Sequence, residues 1–428
     1  MMQEVLADWN PWWRAGHVPD ALKGRERTIE RVMEALHEKE ITVLAGVRRA
    51  GKSTLMYQMM DRLLGEGVDA RNILYVNLED EAFRDAELSE IESAHRQLFA
   101  PQGRVFIFYD EVHVKPRWEA WLKRQYDLKR DVKYVVSGSC SGLLRGEYST
   151  LLTGRNLTFE IRPLSFGDYL RFSNIELPHS PVTKTEKDLM LHHLERYMEL
   201  GGFPEVHVRA AEEFRNILLR QYFSDILYRD IVYRHDVDPR KLTALAVHLL
   251  TNIANPFTMR ALRTATGISF DGLREYIGYL EDALLLRVIT HFTYSSKPGI
   301  QEQRPRKAYC VDVGLRNAVS YRYTRAQGRI AENIVACELF ERYPRVHYWK
   351  GKHEVDFVCV EPTNRLTAID VFYGDRITDQ EMKGLMELRN AFPRRMKECI
   401  LLTRSATGKR NGIVLRPLWA WLLGFHGA

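Results

Sequence analysis

A glycine-rich segment near residue 50 carries the residue types that bind phosphate groups. Glycines let successive backbone N–H groups turn toward a phosphate, and a following helix adds the positive end of its dipole. We expect the lysine after the second glycine to reach the β- and γ-phosphates, and the hydroxyl residue after it to ligate Mg²⁺. The segment matches G-x-x-x-x-G-K-[ST] at each fixed position and reads Gly46, Val47, Arg48, Arg49, Ala50, Gly51, Lys52 and Ser53, with Thr54 next.

Two adjacent acids, Asp110 and Glu111, follow the apolar run Val105–Tyr109. Such a run predicts a buried strand, and open α/β sheets bind ligands at the carboxyl ends of their strands. At that edge Asp110 would hold Mg²⁺ through water, and Glu111 would polarise the attacking water. The chain has no guanine-specifying N-K-x-D motif in a suitable place, so adenine is the expected base.

Two further residues are candidates for contacting the γ-phosphate. Ser139 follows the predicted strand Val132–Ser137, and a small polar residue at that place could sense the phosphate. Arg155 follows later, as a candidate arginine finger that would stabilise charge on the transferring phosphate. The alternatives are an ordinary strand-to-loop turn for Ser139 and a surface residue for Arg155.

The elements that must position these residues alternate between strands and helices. Strands rich in β-branched residues that alternate with helices indicate a parallel sheet covered on both faces. The predicted strands are Glu40–Ala45, Asn72–Leu78, Val105–Tyr109 and Val132–Ser137. The predicted helices are Ser53–Leu64, Leu88–Leu98 and Arg117–Leu128.

Length and composition predict a folded protein of several domains. With 428 residues, about three domains are expected: an α/β P-loop core (1–175), a helical lid with a winged helix (176–300) and an α/β domain (301–428). The net charge of 62 − 56 = +6 is mild for this length, so it permits a nucleic-acid partner without demanding one.

Cysteine usage and hydropathy suggest a compartment. The five cysteines form no C-x-x-C pair, so a zinc site or a disulfide framework is not expected, and a cytoplasmic, reducing location fits best. No stretch of eighteen uncharged apolar residues occurs, and the first residues lack the pattern of a signal peptide. We therefore expect no association with a membrane.

Taken together, the motifs resemble those of the prokaryotic AAA+-type P-loop ATPases that carry a C-terminal domain of uncharacterised function. In that family a P-loop core precedes a winged helix and a restriction-endonuclease-like fold. Besides the P-loop and the two acids, the matching segments are 75–80, 118–123, 136–139, 152–155, 163–166, 201–205, 309–315, 332–333 and 354–357. The resemblance covers nearly the whole chain.

The resemblance implies a Mg²⁺-dependent protein that binds and hydrolyses ATP. Hydrolysis would remodel or reposition a partner, most plausibly double-stranded or branched DNA, and Arg155 acting in trans would require a homo-oligomer. Two alternatives stay open at this point. One is a nucleotide-dependent switch or scaffold with slow hydrolysis and a protein partner, and the other is an ATP-gated DNA nuclease.

A helix-turn-helix pattern with a basic segment after it is the candidate DNA contact. Thr258–Ala265 and Phe270–Leu284 form two helical patterns separated by a Gly-containing turn. Between Leu284 and Tyr309 the basic residues exceed the acids by 5 − 1 = +4, which suits a phosphate backbone. The proposed contacts are Lys297, Arg304, Arg306 and Lys307. Packing against protein is the alternative, because fold alone does not assign function.

Three acids near the C-terminus are spaced like those of restriction-endonuclease-like folds. Glu332, Asp356 and Asp370 could bind a second Mg²⁺, which prefers oxygen ligands. The fold's signature continues acid-x-Lys, but Asp370 is followed two residues later by Phe372, which supplies neither charge nor a hydrogen bond. Lys352 or Lys383 could replace the missing lysine. We therefore expect a degenerate nuclease fold without cleavage.

Overall fold

The structure is a computed structural model that describes residues 2–19, 26–139, 152–209, 211–293, 304–320, 327–374 and 376–425. The chain divides into two compact units, Met1–Arg162 and Pro163–Ala428. The first unit has one sheet and the second has two, and the buried apolar residues form separate clusters in the two units. Among the described residues, no helix combines the length and apolar character needed to cross a membrane.

The first unit is built on a five-stranded parallel sheet. Its strand order is β2-β3-β4-β1-β5, and each neighbouring pair runs parallel. Four of the strands consist largely of buried apolar residues, as expected for a sheet covered on both faces, whereas the edge strand β5 is only half-buried. They are β1 (Ile41–Ala45), β2 (Ile73–Asn77), β3 (Val105–Asp110), β4 (Val132–Gly138) and β5 (Asn156–Glu160).

Helices accompany this sheet and supply the rest of its core. Apolar side chains such as Leu6, Ile91 and Leu122 pack with the strands in one cluster. The helices are α1 (Met2–Trp9), α2 (Trp12–Ala15), α3 (Glu26–His37), α4 (Lys52–Gly65), α5 (Leu88–Phe99) and α6 (Trp118–Asp127). Because all strands run parallel, the carboxyl ends of β1, β3 and β4 meet at one edge of the sheet.

The second unit begins with helices and a small antiparallel sheet. Its helices are α7 (Phe166–Phe172), α8 (Lys184–Leu200), α9 (Pro204–Val208), α10 (Glu212–Asp225), α11 (Pro239–Thr251), α12 (Met259–Thr266) and α13 (Phe270–Asp282). The three-stranded sheet, in the order β6-β8-β7, contains β6 (Pro256–Phe257), β7 (Leu286–Ile289) and β8 (Arg306–Cys310). Helices α12 and α13 agree with the predicted helix-turn-helix, and the winged-helix interpretation stays a prediction.

A six-stranded mixed sheet follows in the same unit. Its order is β13-β14-β12-β11-β10-β9, with parallel pairs only between β11 and β12 and between β12 and β14. The strands are β9 (Arg345–Lys350), β10 (Glu354–Val360), β11 (Leu366–Phe372), β12 (Met396–Thr403), β13 (Gly408–Arg410) and β14 (Ile413–Pro417). The helices are α14 (Val313–Val319), α15 (Gln327–Arg342), α16 (Lys383–Ala391) and α17 (Leu418–Leu422).

The structure confirms the predicted fold class at the level of an α/β protein with a parallel P-loop-type sheet and a separate mixed sheet towards the C-terminus. The division into three domains at residues 175 and 300 stays a prediction. The mixed sheet places Asp356 and Asp370 on the paired strands β10 and β11, as predicted for the C-terminal acids.

Candidate functional site

The glycine-rich loop joins β1 to α4 and is shaped by two of its glycines. A side chain on Gly46 would collide with the carbonyl oxygen of Ile161, so the backbone approaches its neighbour too closely for any other residue. Gly51 lies at the N-cap of α4 with φ 94°, a left-handed conformation that glycine adopts without strain. The loop therefore ends at the N-terminus of a 14-residue helix, whose free N–H groups suit an anion.

Lys52, the first residue of α4, is buried at the base of this loop. Its ammonium donates hydrogen bonds to the carbonyl oxygens of Gly46 (3.1 Å) and Val47 (3.3 Å). The nearest carboxylate oxygen, Oε1 of Glu111, lies 3.7 Å away. The positive charge is thus held mainly by neutral carbonyl groups, so it remains available to a phosphate. Ser53 and Thr54 follow on the first turn of α4 and are half-buried.

Asp110 is the last residue of β3 and is held from both neighbouring strands. The phenol of Tyr75 on β2 donates to Oδ2 over 2.8 Å, and the hydroxyl of Ser137 on β4 donates to Oδ1. Burial, reinforced by the negative charge of Asp110, raises the pKa of Tyr75 well above its usual value. The phenol therefore keeps its proton and acts as a donor. This support fixes the carboxylate at the carboxyl edge of the sheet.

Glu111 follows with a backbone conformation that non-glycine residues rarely adopt. Its φ is 53°, in the left-handed region, and such strain is commonly found at functional sites. Its N–H donates to the hydroxyl of Ser137 over 3.0 Å, while its Oε2 lies 3.3 Å from Nδ1 of His113. Burial raises the pKa of Glu111, and the positive charge of Lys52 opposes that rise. A buried carboxylate with a raised pKa is suited to accept a proton from water.

The side chain of Arg48 is engaged within the protein. Its guanidinium donates two hydrogen bonds to Oε1 of Glu79, at 3.2 and 3.1 Å, beyond the end of β2. Arg49 takes a left-handed φ of 67° in the turn of the loop. The predicted nucleotide contacts of both residues stay predictions. At these two positions the motif requires only the backbone of the loop, not a particular side chain.

Ser139 and Arg155 have different surroundings. Ser139 is buried directly after β4. Arg155 forms an ion pair with Asp127 on α6, with Nε 3.1 Å from Oδ1, and its guanidinium lies over the ring of Tyr126. Lys123 and Arg155 lower the pKa of Asp127, which keeps that carboxylate ionised. Roles for Ser139 and Arg155 at the γ-phosphate remain predictions.

Sequence reasoning missed several residues of this site. Tyr75 and Ser137 hold Asp110, and Glu79 pairs with Arg48. A signal was present for two of them, because Ser137 ends a predicted strand and Glu79 directly follows one, whereas Tyr75 lies in the middle of its strand. The contacts with Asp110 could be predicted only if the strand order were known, because that order places β2 and β4 on either side of β3.

The structure describes three of the four predicted DNA contacts. Lys297 lies outside the described residues. Arg304 approaches Nδ1 of His291 at 2.6 Å, and Arg306 begins β8. The prediction for Lys307 is wrong, because its side chain is almost fully buried and its ammonium is paired with carboxylates. Strand β8 is buried from Lys307 to Cys310, so the lysine has no solvent-facing side to extend into.

The predicted C-terminal acids do gather in one place. Lys307 donates hydrogen bonds to Glu332 and Asp356, and Asp370 accepts one from the N–H of Asp356 over 3.3 Å. Phe372, which stands at the expected lysine position, packs into a hydrophobic cluster of the mixed sheet. Lys383 instead donates to Gln380 over 2.5 Å on the surface.

Comparison with known families agrees with the geometry of the first unit. Residues 38–170 match the family described as an AAA domain. Residues 191–325 and 327–421 match two families described as domains of unknown function. The parallel sheet, the glycine-rich loop and the acids at the carboxyl end of β3 define a P-loop nucleotide-binding protein.

Similar proteins span almost the whole chain. An uncharacterised protein of Methanocaldococcus jannaschii is 27% identical over 423 residues, which cover 94% of this chain and 92% of the relative. An uncharacterised protein of Haemophilus influenzae is 29% identical over 383 residues, covering 87% and 92%. The chain contains an AAA-type P-loop ATPase domain, residues 38–170, and domains of unknown function follow it.

Two solved structures are also similar in part. The Walker-type ATPase PABY2304 of Pyrococcus abyssi is 16% identical, with a TM-score of 0.46 over 70% of this chain and 97% of that chain. The ORC1 protein of Aeropyrum pernix, solved in complex with DNA, is 14% identical, with a TM-score of 0.33 over 71% and 93%. The AAA-type domain is identified from the family match over residues 38–170.

Proposed function

We propose that this protein hydrolyses ATP in a Mg²⁺-dependent reaction at the carboxyl edge of the five-stranded sheet. The observation that carries the proposal is the convergence of Lys52, Asp110 and Glu111 there, with the Lys52 charge held mainly by loop carbonyls. The loop N–H groups and the N-terminus of α4 would cradle the phosphates, and Lys52 would neutralise the charge that develops on them.

The residues present fit a magnesium ion bound with the nucleotide. Ser53 offers a hydroxyl on the first turn of α4, and Asp110 offers an oxygen-only ligand held in place by Tyr75 and Ser137. Such hard oxygen ligands suit Mg²⁺, which when bound would neutralise charge on the β- and γ-phosphates. Glu111 would orient the attacking water and accept its proton, since burial raises its pKa.

Phosphate release tests this assignment. We expect steady release by the wild type with ATP and Mg²⁺, and a loss of about 10²–10³-fold in kcat for Glu111→Gln, as when one preorganised group is removed from an active site. Glu34→Gln is the matched control, because Glu34 is an exposed acid on α3. If Glu111→Gln released phosphate at the wild-type rate, the site would be assigned wrongly.

The partner of the ATPase cycle is proposed to be double-stranded or branched DNA. Support for this comes from the small three-stranded sheet with α12 and α13, and from the basic residues Lys297, Arg304 and Arg306. Lys307 is buried and does not contribute. A mobility shift over a salt series tests it. Each lost phosphate contact is expected to reduce the salt slope by about 1. Without salt-sensitive DNA affinity, the protein-partner alternative replaces this proposal.

Arg155 is proposed to act on the γ-phosphate of a neighbouring subunit in a homo-oligomer. Its ion pair with Asp127 holds it in the absence of such a neighbour. Light scattering with and without ATP measures the oligomeric state. An arginine finger contributes about 10³-fold or more to kcat, so Arg155→Ala should be nearly inactive, whereas Lys123→Ala on the same surface should keep its activity. A monomer with full Arg155→Ala activity would contradict the proposal.

A further inference from the structure

A buried cluster of charged side chains lies between β8, α15 and β10 in the second unit. We call it the Lys307 centre, and it comprises Lys307, Tyr309, Glu332, Glu354, Asp356 and Asp370. The ammonium of Lys307 lies 2.9 Å from Oε1 of Glu332, 2.9 Å from Oε1 of Glu354 and 3.1 Å from Oδ1 of Asp356. The side chain of Lys307 is only 1% exposed, so water contributes little to its solvation.

The restriction-endonuclease-like resemblance implies a divalent cation among Glu332, Asp356 and Asp370, and the structure permits a test of that fit. An ammonium has three protons, and three carboxylates lie around this one. Among the described residues, no group of three or more His, Cys, Asp or Glu side chains has the geometry of a metal site. The residues therefore do not fit the implied cation.

Several oxygen atoms of the cluster also accept hydrogen bonds from other groups. Oδ2 of Asp356 accepts the N–H of Val371 over 3.0 Å, and Oε1 of Glu332 accepts the phenol of Tyr309 over 2.7 Å. Asp370 accepts the N–H of Asp356. A metal entering this centre would have to displace both the ammonium and several of these bonds.

The ammonium and the acids of the Lys307 centre shift one another's pKa. Burial alone would lower the pKa of Lys307, but the carboxylates, Asp356 first, outweigh it and hold that pKa well above its usual value. Burial and the charge of Asp356 raise the pKa of Glu332 to about 8 and that of Asp370 well above its ordinary range. Burial would raise the pKa of Asp356, but the Lys307 ammonium outweighs it and lowers that pKa, so the lysine pairs chiefly with this acid.

We infer that the ammonium of Lys307 takes the cation position of this nuclease-like centre, so that the protein binds no divalent cation there and does not cleave DNA. The centre instead joins segments that the two domain families treat separately. Lys307 lies within residues 191–325, whereas its carboxylates lie within residues 327–421. The ion pairs therefore connect the two matched segments, which belong to one compact unit.

The variant Lys307→Met tests the inference because it keeps the length of the side chain and removes its charge. Breaking a buried ion pair should lower Tm by about 6–20 °C. The vacated centre should then respond to Mn²⁺, with a rise in the Tm of nucleotide-free Lys307→Met that the wild type does not show. The double variant Lys307→Met/Asp356→Asn is the control, and its Tm should not respond.

Two outcomes would overturn the inference. One is calorimetric binding of Mn²⁺ by the nucleotide-free wild type that disappears in Asp356→Asn, because the carboxylates would then hold a metal beside the lysine. The other is a folded Lys307→Met protein with an unchanged Tm and no response to Mn²⁺. If Lys307→Met does not fold, the wild-type titration and a Mg²⁺- or Mn²⁺-dependent cleavage assay on linear and branched DNA decide the question alone.

Discussion

The two units each contain a buried lysine beside acids, and the two lysines differ in what surrounds them. Lys52 is bonded to two backbone carbonyls and lies 3.7 Å from one carboxylate. Lys307 lies within 3.1 Å of three carboxylates. Neutral carbonyls orient an ammonium without cancelling its charge, whereas carboxylates cancel it. A lysine near acids in a nuclease-like or nucleotide-binding fold is therefore functional or structural according to its partners.

Exchanging each lysine for methionine separates the two roles and gives the largest expected effect. Lys52→Met should lower the rate of ATP hydrolysis by about 10²–10³-fold, because a preorganised positive charge is lost from the phosphate site, while its Tm changes little. Lys307→Met should show the reverse pattern, with hydrolysis per folded molecule close to the wild-type rate. Phosphate release and thermal melting of the same preparations measure both. Loss of hydrolysis in folded Lys307→Met would break the comparison.

The support of Asp110 by its neighbours gives the next largest effect. Tyr75→Phe removes the donor to Oδ2, and loss of a group that orients a metal ligand commonly costs 10–100-fold, so we expect about that loss in kcat or in Mg²⁺ affinity. A magnesium titration of phosphate release separates the two effects. Tyr126→Phe, on the surface helix α6, is the control. Wild-type behaviour of Tyr75→Phe would mean that Ser137 alone positions the carboxylate.

The Lys307 centre should make stability depend on pH. The pKa of Glu332 is raised to about 8 in the folded protein, from an ordinary value of 4.5. Its protonated form is therefore favoured by folding, and that contribution is full below pH 4.5 and is lost as the pH rises through 8. The free energy of unfolding should fall by up to about 1.4 kcal/mol per pH unit in that window. Urea unfolding from pH 5 to 8 measures it, and Glu332→Gln should flatten the dependence.

The phosphate site was largely predictable from sequence, because its information is local. The glycine spacing determines the loop. The observed β1 begins one residue later than predicted, and α4 is one residue longer at each end. The acids after β3 were predictable for the same reason, since five apolar residues lead directly to them. Tyr75 and Ser137 were not, since they lie 35 and 27 residues from Asp110 and meet it only through strand order.

Lys307 shows why charge counting failed in the second unit. Its neighbours Arg304 and Arg306 made the segment basic, and a basic segment after a helix-turn-helix suggested a surface that contacts DNA. The residues that pair with Lys307 come 25 to 49 residues later along the chain. A weak signal did exist, because Ala308, Tyr309 and Cys310 continue the strand as an apolar run in which a lysine is unusual.

The smallest expected effect distinguishes the carboxylates within the Lys307 centre. Glu354 is 27% exposed and also accepts from Lys350 over 3.2 Å, so solvent and a second cation weaken its contribution. Glu354→Gln should therefore cost only about 1 kcal/mol, whereas Asp356→Asn, at a 14% exposed carboxylate, should cost about 3–5 kcal/mol. Urea unfolding compares them, with Lys350→Met as the control that leaves the Lys307–Glu354 pair in place. Equal losses would show that Lys307 depends on Glu354 and Asp356 alike, and that the difference in burial does not decide the strength of these two ion pairs.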